Sequence, residues 1–210
     1  TSQYTLSLHD ALPISLQSFD ESTYHEPYAT SLRMGDIGYQ NNQENETGIK
    51  ACYDSLAAYC GSLEGAVETP CARYERIGVK VDGEYRQLNA NILQIENEYY
   101  STVRPKPVLE GNEKPTSALR RGGVAYVELR SLDVNAFHPL GISTGQVRFL
   151  EALMLWCLLA ESPLLTERER IEIDENEMAV AHRGRMPGLT LMRRGDEVPL
   201  QLVGMLSIFT

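Results

Sequence analysis

Arg121-Gly122-Gly123-Val124-Ala125-Tyr126-Val127-Glu128-Leu129-Arg130-Ser131-Leu132-Asp133 is the stretch on which the fold turns. It reads as a strand entered through a Gly-Gly turn. Side chains alternate across a strand, so Tyr126, Glu128 and Arg130 share one face while Ala125, Val127, Leu129 and Ser131 share the other. The apolar face is expected to be core. On the charged face a carboxylate and a guanidinium lie roughly 6.6 Å apart along the strand, near enough for one to hold a cation and the other an anion. That is the geometry of a metal-plus-phosphate site. A solvated strand face with an incidental ion pair gives the same pattern.

At 210 residues the chain is long enough to bury a real core, as one large domain or two small ones. Hydrophobic content of 42% and charged content of 23% are ordinary for a globular protein. A net charge of −10 argues against nucleic acid as the main partner, because phosphate backbones attract clustered Lys and Arg. It leaves nucleotides open. The longest apolar run, Ala152 to Ala160, is too short to span a membrane. Cys52, Cys60, Cys71 and Cys157 are too sparse for a disulfide scaffold and form no Cys-x-x-Cys pair, which reads as reduced thiols in a cytoplasmic protein. Neither a Gly-x-x-x-x-Gly-Lys phosphate loop nor a Gly-x-Gly-x-x-Gly fingerprint is present.

Taken in order, the chain opens on Tyr4-Thr5-Leu6-Ser7-Leu8-His9-Asp10-Ala11-Leu12-Pro13-Ile14-Ser15, which resembles the translation of a sequencing-library adapter. Residues 1–16 are therefore expected to be non-native, and 17–210 part of a catalytic domain. In Tyr28 to Tyr39 two glycines flank Asp36 and Ile37, a bend that would hold Arg33 and Tyr39 near a ligand, or a plain surface turn. The spacing predicts an amphipathic helix over 49–67, assigned to packing and ended by Pro70. A hairpin is expected across Asp82-Gly83. A strand is expected over 92–100 with Ile92, Gln94, Glu96, Glu98 and Tyr100 on one face, closed by Arg104-Pro105-Lys106 and followed by a polar loop over 108–117. Residues 135–141, with His138, read as a loop. Ser143 or Thr144 caps a helix over 146–160 with Phe149 and Trp156 as core residues. Residues 166–178 read as a solvated helix face, and Arg183 to Leu189 as a basic turn.

Several of these stretches together resemble one family, the glutamate–cysteine ligases of the proteobacterial type. The resemblance rests on Tyr28-Ala29-Thr30-Ser31-Leu32-Arg33 with Gly38-Tyr39, on Leu93-Gln94-Ile95-Glu96-Asn97-Glu98 with Tyr100, and on Arg104-Pro105-Lys106. It continues through Arg121-Gly122-Gly123, Glu128 to Asp133, Gln146-Val147-Arg148-Phe149-Leu150 and Pro187-Gly188-Leu189-Thr190-Leu191. It implies an α+β, glutamine-synthetase-like fold, a curved antiparallel sheet with outer helices. It also implies ligation of the glutamate γ-carboxylate to cysteine through γ-glutamyl phosphate, with ATP and Mg²⁺, by a cytoplasmic enzyme that is a monomer at full length. Glu128 then matches a Mg²⁺ ligand, Arg130 the arginine that meets the transferred phosphoryl group, and Arg33, Tyr39 and Tyr100 residues around the cysteine. Gln94, Glu96 and Glu98 would add a polar sheet face.

The family's other metal-binding carboxylates have no counterpart in this stretch, so the 210-residue polypeptide alone is expected to be inactive and to aggregate. Two other readings stand. Gln94 to Tyr99 also resembles the Asn-Glu signature of retaining β-galactosidases, with Glu98 as acid/base, and a non-catalytic relative would carry the same motifs.

Overall fold

The computed structural model describes residues 17–35 and 50–200. In chain order the elements are β1 (Gln17–Ser18), β2 (Tyr24–His25), α1 (Leu56–Glu68), α2 (Ala72–Ile77), β3 (Lys80–Val81), β4 (Glu84–Tyr85), a 3₁₀ turn (Glu96–Glu98), β5 (Val103–Lys106), α3 (Pro115–Gly122), β6 (Tyr126–Leu129), α4 (Thr144–Leu159), α5 (Glu167–Arg183), β7 (Thr190–Arg193) and β8 (Asp196–Pro199). The class is α+β, and among the described residues every pairing is antiparallel, in four two-stranded ribbons. Contacts divide the chain into a unit of residues 1–38 with 132–210 and a unit of residues 39–131.

The core of the 39–131 unit forms where α1 meets α3. Ser55 caps α1 by accepting from the Ala58 N–H, and buried Tyr59, Cys60, Leu63 and Ala66 recur at the spacing that puts them on one helical face. Leu119 of α3 and Tyr99 pack against that face. The amphipathic helix is therefore confirmed, but it begins at Leu56 rather than at 49. Lys80-Val81 and Glu84-Tyr85 form the expected hairpin, with Asp82 and Gly83 both at positive φ, 51° and 84°, as its turn demands.

Several expectations in this unit are corrected. Residues 92–100 are not a strand, so Gln94, Glu96 and Glu98 do not line a sheet face. Glu96–Glu98 wind into the 3₁₀ turn, and Glu96, only 6% exposed, accepts from the Thr116 N–H at 2.9 Å and the Thr116 hydroxyl at 2.6 Å. The alternation of polar residues came from local hydrogen bonding: Glu98 accepts from the Gln94 N–H, and the Gln94 side chain from the Leu88 N–H. Second, the polar loop ends earlier than expected. Pro115 occupies the first turn of α3, and Glu96 does the capping that Lys114 cannot. Glu96→Ala would leave the Thr116 N–H buried without an acceptor, a loss of about 2 kcal/mol that a thermal melt reads as a drop of roughly 4–8 °C; Glu96→Gln, which keeps an acceptor, should lose about half as much.

Arg121 and Gly122 close α3 instead of opening a strand, and Gly123 at φ 75° ends the helix. The strand that follows is Tyr126–Leu129, lengthened by bonds from Ala125 N–H to the Lys106 carbonyl and from Arg130 N–H to the Thr102 carbonyl. Its apolar face is not core, Val127 being 40% exposed, because a two-stranded ribbon leaves one side open unless another element covers it.

In the other unit, α5 is opened by a capping box between Thr166 and Glu169, and it runs to Arg183, beyond the expected solvated segment. Its Asn176 side chain bonds both the N–H and the carbonyl of Met192, fixing the β7–β8 hairpin, which was not anticipated. α4 forms where expected, with the capping box of Ser143 and Gln146, yet it buries no residue: Trp156 is 66% exposed. Phe149 and Trp156 are thus not core, since no residue of their helix is buried. All four cysteines are thiols. Among the described residues no helix is long and apolar enough to cross a membrane.

Candidate active site

The β5–β6 ribbon carries the charged cluster. Its register opposes Arg104 to Glu128 and Lys106 to Tyr126, and directly opposed residues project to the same face. Arg104, Lys106, Tyr126, Glu128 and Arg130 therefore share one face, whose ladder is anchored by Tyr53 donating its hydroxyl to the Val103 carbonyl at 2.7 Å. Glu128 is the hub. Its Oε1 accepts from Arg130 Nε at 2.9 Å, and its Oε2 from Arg130 Nη2 at 3.2 Å and Lys106 Nζ at 3.2 Å. The Arg130 guanidinium holds the Glu128 carboxyl below its ordinary value, with Lys106 adding to the effect. Arg130 Cζ also lies 6.0 Å from the centre of the Tyr100 ring. The structure thus brings together three of the expected site residues, Tyr100, Glu128 and Arg130.

Arg33 belongs to the other unit, where its loop is built upon the C-terminal end of α5. Thr30 donates to the Ala181 and Val180 carbonyls, and Arg185 donates to the Pro27 and Ala29 carbonyls. His182 Nδ1 meets the Glu26 carboxylate at 2.8 Å. Asp133 then gathers the tip, accepting from the Ser31 hydroxyl and from the Arg33 N–H. The basic turn at 183–189 is accordingly an internal strap, since Arg185 binds backbone carbonyls. Tyr39, with the bend at 36–38, lies outside the described residues. His138 sits in the expected loop and accepts from the Leu140 N–H. An open groove of about 650 Å³ between α5 and β7, lined by Asp174, Met178, His182, Arg183 and Met192 among others, contains none of the described candidate site residues.

Sequence reasoning passed over Lys106, Arg104 and Asp133. The signal for the first two was the alternation of cations across Pro105, treated as the end of a strand when it is a strand itself. For Asp133 there was no signal, since its role depends on a loop about 100 residues away.

The match to a family model settles the lineage: the glutamate–cysteine ligase model matches residues 3–180. The chain belongs to the glutamate–cysteine ligase family. Similar proteins include the glutamate–cysteine ligase of Pseudomonas aeruginosa strain PAO1, 52% identical over 190 residues, which are 90% of this chain and 36% of that protein. That of Shewanella halifaxensis is 53% identical over 178 residues, 85% of this chain and 34% of that protein. Among solved structures, the glutamate–cysteine ligase of Francisella tularensis in complex with AMP superposes with a TM-score of 0.81 at 38% identity, covering 94% of this chain and 39% of that one. The chain thus spans about a third of the length of these relatives. The family match takes in residues 3–16, which lie outside the described residues. For a member of this family the galactosidase reading falls away, and Glu98 is turned onto the backbone of Gln94.

Proposed function

We propose that this chain supplies part of the active site of an ATP-dependent ligase that joins the γ-carboxylate of glutamate to the amino group of cysteine, the first step of glutathione synthesis. The observation that carries this reading is the Glu128–Arg130 pair on one strand face, in a chain of this family. In the reaction a γ-carboxylate oxygen of glutamate attacks the terminal phosphorus of ATP, releasing ADP. The amine of cysteine then attacks the acyl carbon of γ-glutamyl phosphate, displacing phosphate and losing a proton. Arg130, a planar donor two residues from Glu128, is suited to the equatorial oxygens of the phosphoryl group in flight.

Glu128 has the hard oxygen donors that Mg²⁺ takes, but it is one carboxylate, and among the described residues no group of three His, Cys, Asp or Glu side chains could hold a metal. It serves as a single ligand within a larger set. When bound, the ion would neutralise charge on the phosphoryl oxygens. Within the chain, Lys106 keeps a second cation on Glu128, so the carboxylate stays ionised and aimed while Arg130 turns to the phosphoryl group. Tyr100 bounds the face beside Arg130, and we assign Tyr100, Tyr39 and Arg33 to the cysteine. The reading includes a cytoplasmic location and a monomeric full-length enzyme.

The test is a chimera in which this chain replaces the matching 190 residues of the Pseudomonas aeruginosa ligase. ADP release that needs ATP, Mg²⁺ and both amino acids is the expected result. No ADP with any combination would instead mark a non-catalytic relative. In the same chimera Asp133→Ala, which removes the acceptor of Ser31 and Arg33, should raise KM for cysteine roughly tenfold, the worth of one charge-assisted hydrogen bond, with KM for ATP unchanged. An unchanged cysteine KM would remove Arg33 from the cysteine site.

A further inference from the structure

The ribbon face contains one cation that the ligase reading does not use. Arg104 stands opposite Glu128 and is 5% exposed, yet its Nε–H is buried with no hydrogen-bond partner. Among the described residues no carboxylate forms an ion pair with it. Glu128 is taken by Arg130 and Lys106. Glu96 has committed both oxygens to Thr116. The guanidinium hydrogen-bonds the hydroxyl of Tyr59, a neutral group that brings no countercharge and whose own ionisation is held off chiefly by burial. A guanidinium cannot relieve this by losing its proton, so the charge persists in a place where an uncompensated charge is costly. The face as a whole holds three cations, Arg104, Lys106 and Arg130, against one carboxylate.

We infer that Arg104 is an oxyanion-binding residue of this site, completed by a carboxylate or phosphoryl oxygen of a bound substrate. Three features carry the inference. The fork of Arg is shaped for two oxygens on one atom, which both chemistries offer. The face has a net positive charge even with Glu128 ionised, so it favours an anion over a neutral ligand. The β5–β6 register fixes Arg104 directly across from Glu128, which places an anion held there within the same cluster that Arg130 serves. Arg104 differs from Lys106 in this respect: Lys106 acts through Glu128, whereas Arg104 would touch the substrate itself. The identity of the anion rests on the ligase reading; the need for an anion does not.

The experiment uses the chimera with Arg104→Met, which keeps length and removes charge, and Arg104→Lys, which keeps charge and removes the fork. ATP, glutamate and cysteine are each added alone while the melting temperature is followed, and KM is measured for each. The expected result is that Arg104→Met weakens one of the three by ~10- to 100-fold, with the other two held within about twofold and Arg104→Lys in between. Loss for ATP identifies a phosphoryl oxygen; loss for glutamate or cysteine identifies a carboxylate. Unchanged affinity for all three in both variants overturns the inference and makes Arg104 a residue of the fold alone, whichever way the melting temperature moves. If Arg104→Met does not fold, Arg104→Lys decides by the same criterion. A chimera that releases no ADP refutes the ligase reading, and the ligand-induced melting shifts still judge Arg104: a shift kept in Arg104→Met, or no shift with any of the three in the parent, overturns it.

Discussion

Arg130→Ala in the chimera should lower ADP release by on the order of 10³-fold, because an arginine that meets phosphoryl oxygens in transfer carries an effect of that size. The loss should fall on kcat, with KM for glutamate and cysteine held within about twofold, since the charge that Arg130 neutralises develops only in the transition state. Arg130→Lys should recover a small part of the activity. It restores the charge but not the fork, and Glu128 now receives Arg130 through two separate nitrogens, Nε and Nη2. A pair of this exposure adds little to folding, so the melting temperature should hardly move. Arg130→Ala with full activity would return the pair to a solvated strand face with an incidental ion pair.

How far that pair could be read from the sequence follows from what sets it. Glu128 and Arg130 are two residues apart, and the period of a strand alone puts them on one face. The Asp82-Gly83 hairpin and the capping boxes were legible for the same reason, or would have been: each is decided within about four residues. Failures occurred where a partner distant in sequence decides the outcome. Residues 92–100 alternate as a strand does, but Glu96 is drawn to the N-terminus of α3, 20 residues on, and that contact selects a 3₁₀ turn. Val127 and Trp156 are apolar enough for a core, yet apolarity states only that a side chain favours burial and not what covers it. Arg104 shows the same limit from the polar side. Nothing in Arg104-Pro105-Lys106 says that one cation will meet a carboxylate and the other will not; in the folded ribbon Lys106 reaches Glu128 from the neighbouring pair, while Arg104, directly opposite, does not.

Glu128→Gln tests the other half of the pair and carries the second large expected effect, a loss of ADP release of roughly 10²-fold. The substitution is nearly isosteric, so what it removes is the negative charge. Two consequences separate a metal ligand from a simple partner of Arg130. A neutral amide is a poorer donor to a hard cation, so the Mg²⁺ concentration for half-maximal rate should rise by about tenfold, and excess Mg²⁺ should restore part of the activity. At the same time Arg130 and Lys106 lose the carboxylate that both now hold, leaving the face with three cations and no acid. Anionic substrates should therefore bind no more weakly, and ATP somewhat more tightly, while the chemical step slows. That combination, tighter nucleotide, weaker metal and lower kcat, does not follow from a fold defect, which would lower all three together. If Glu128→Gln instead leaves the Mg²⁺ dependence unchanged and reduces rate only as far as Lys106→Met does, Glu128 is a positioning residue for Arg130, and the metal is held elsewhere.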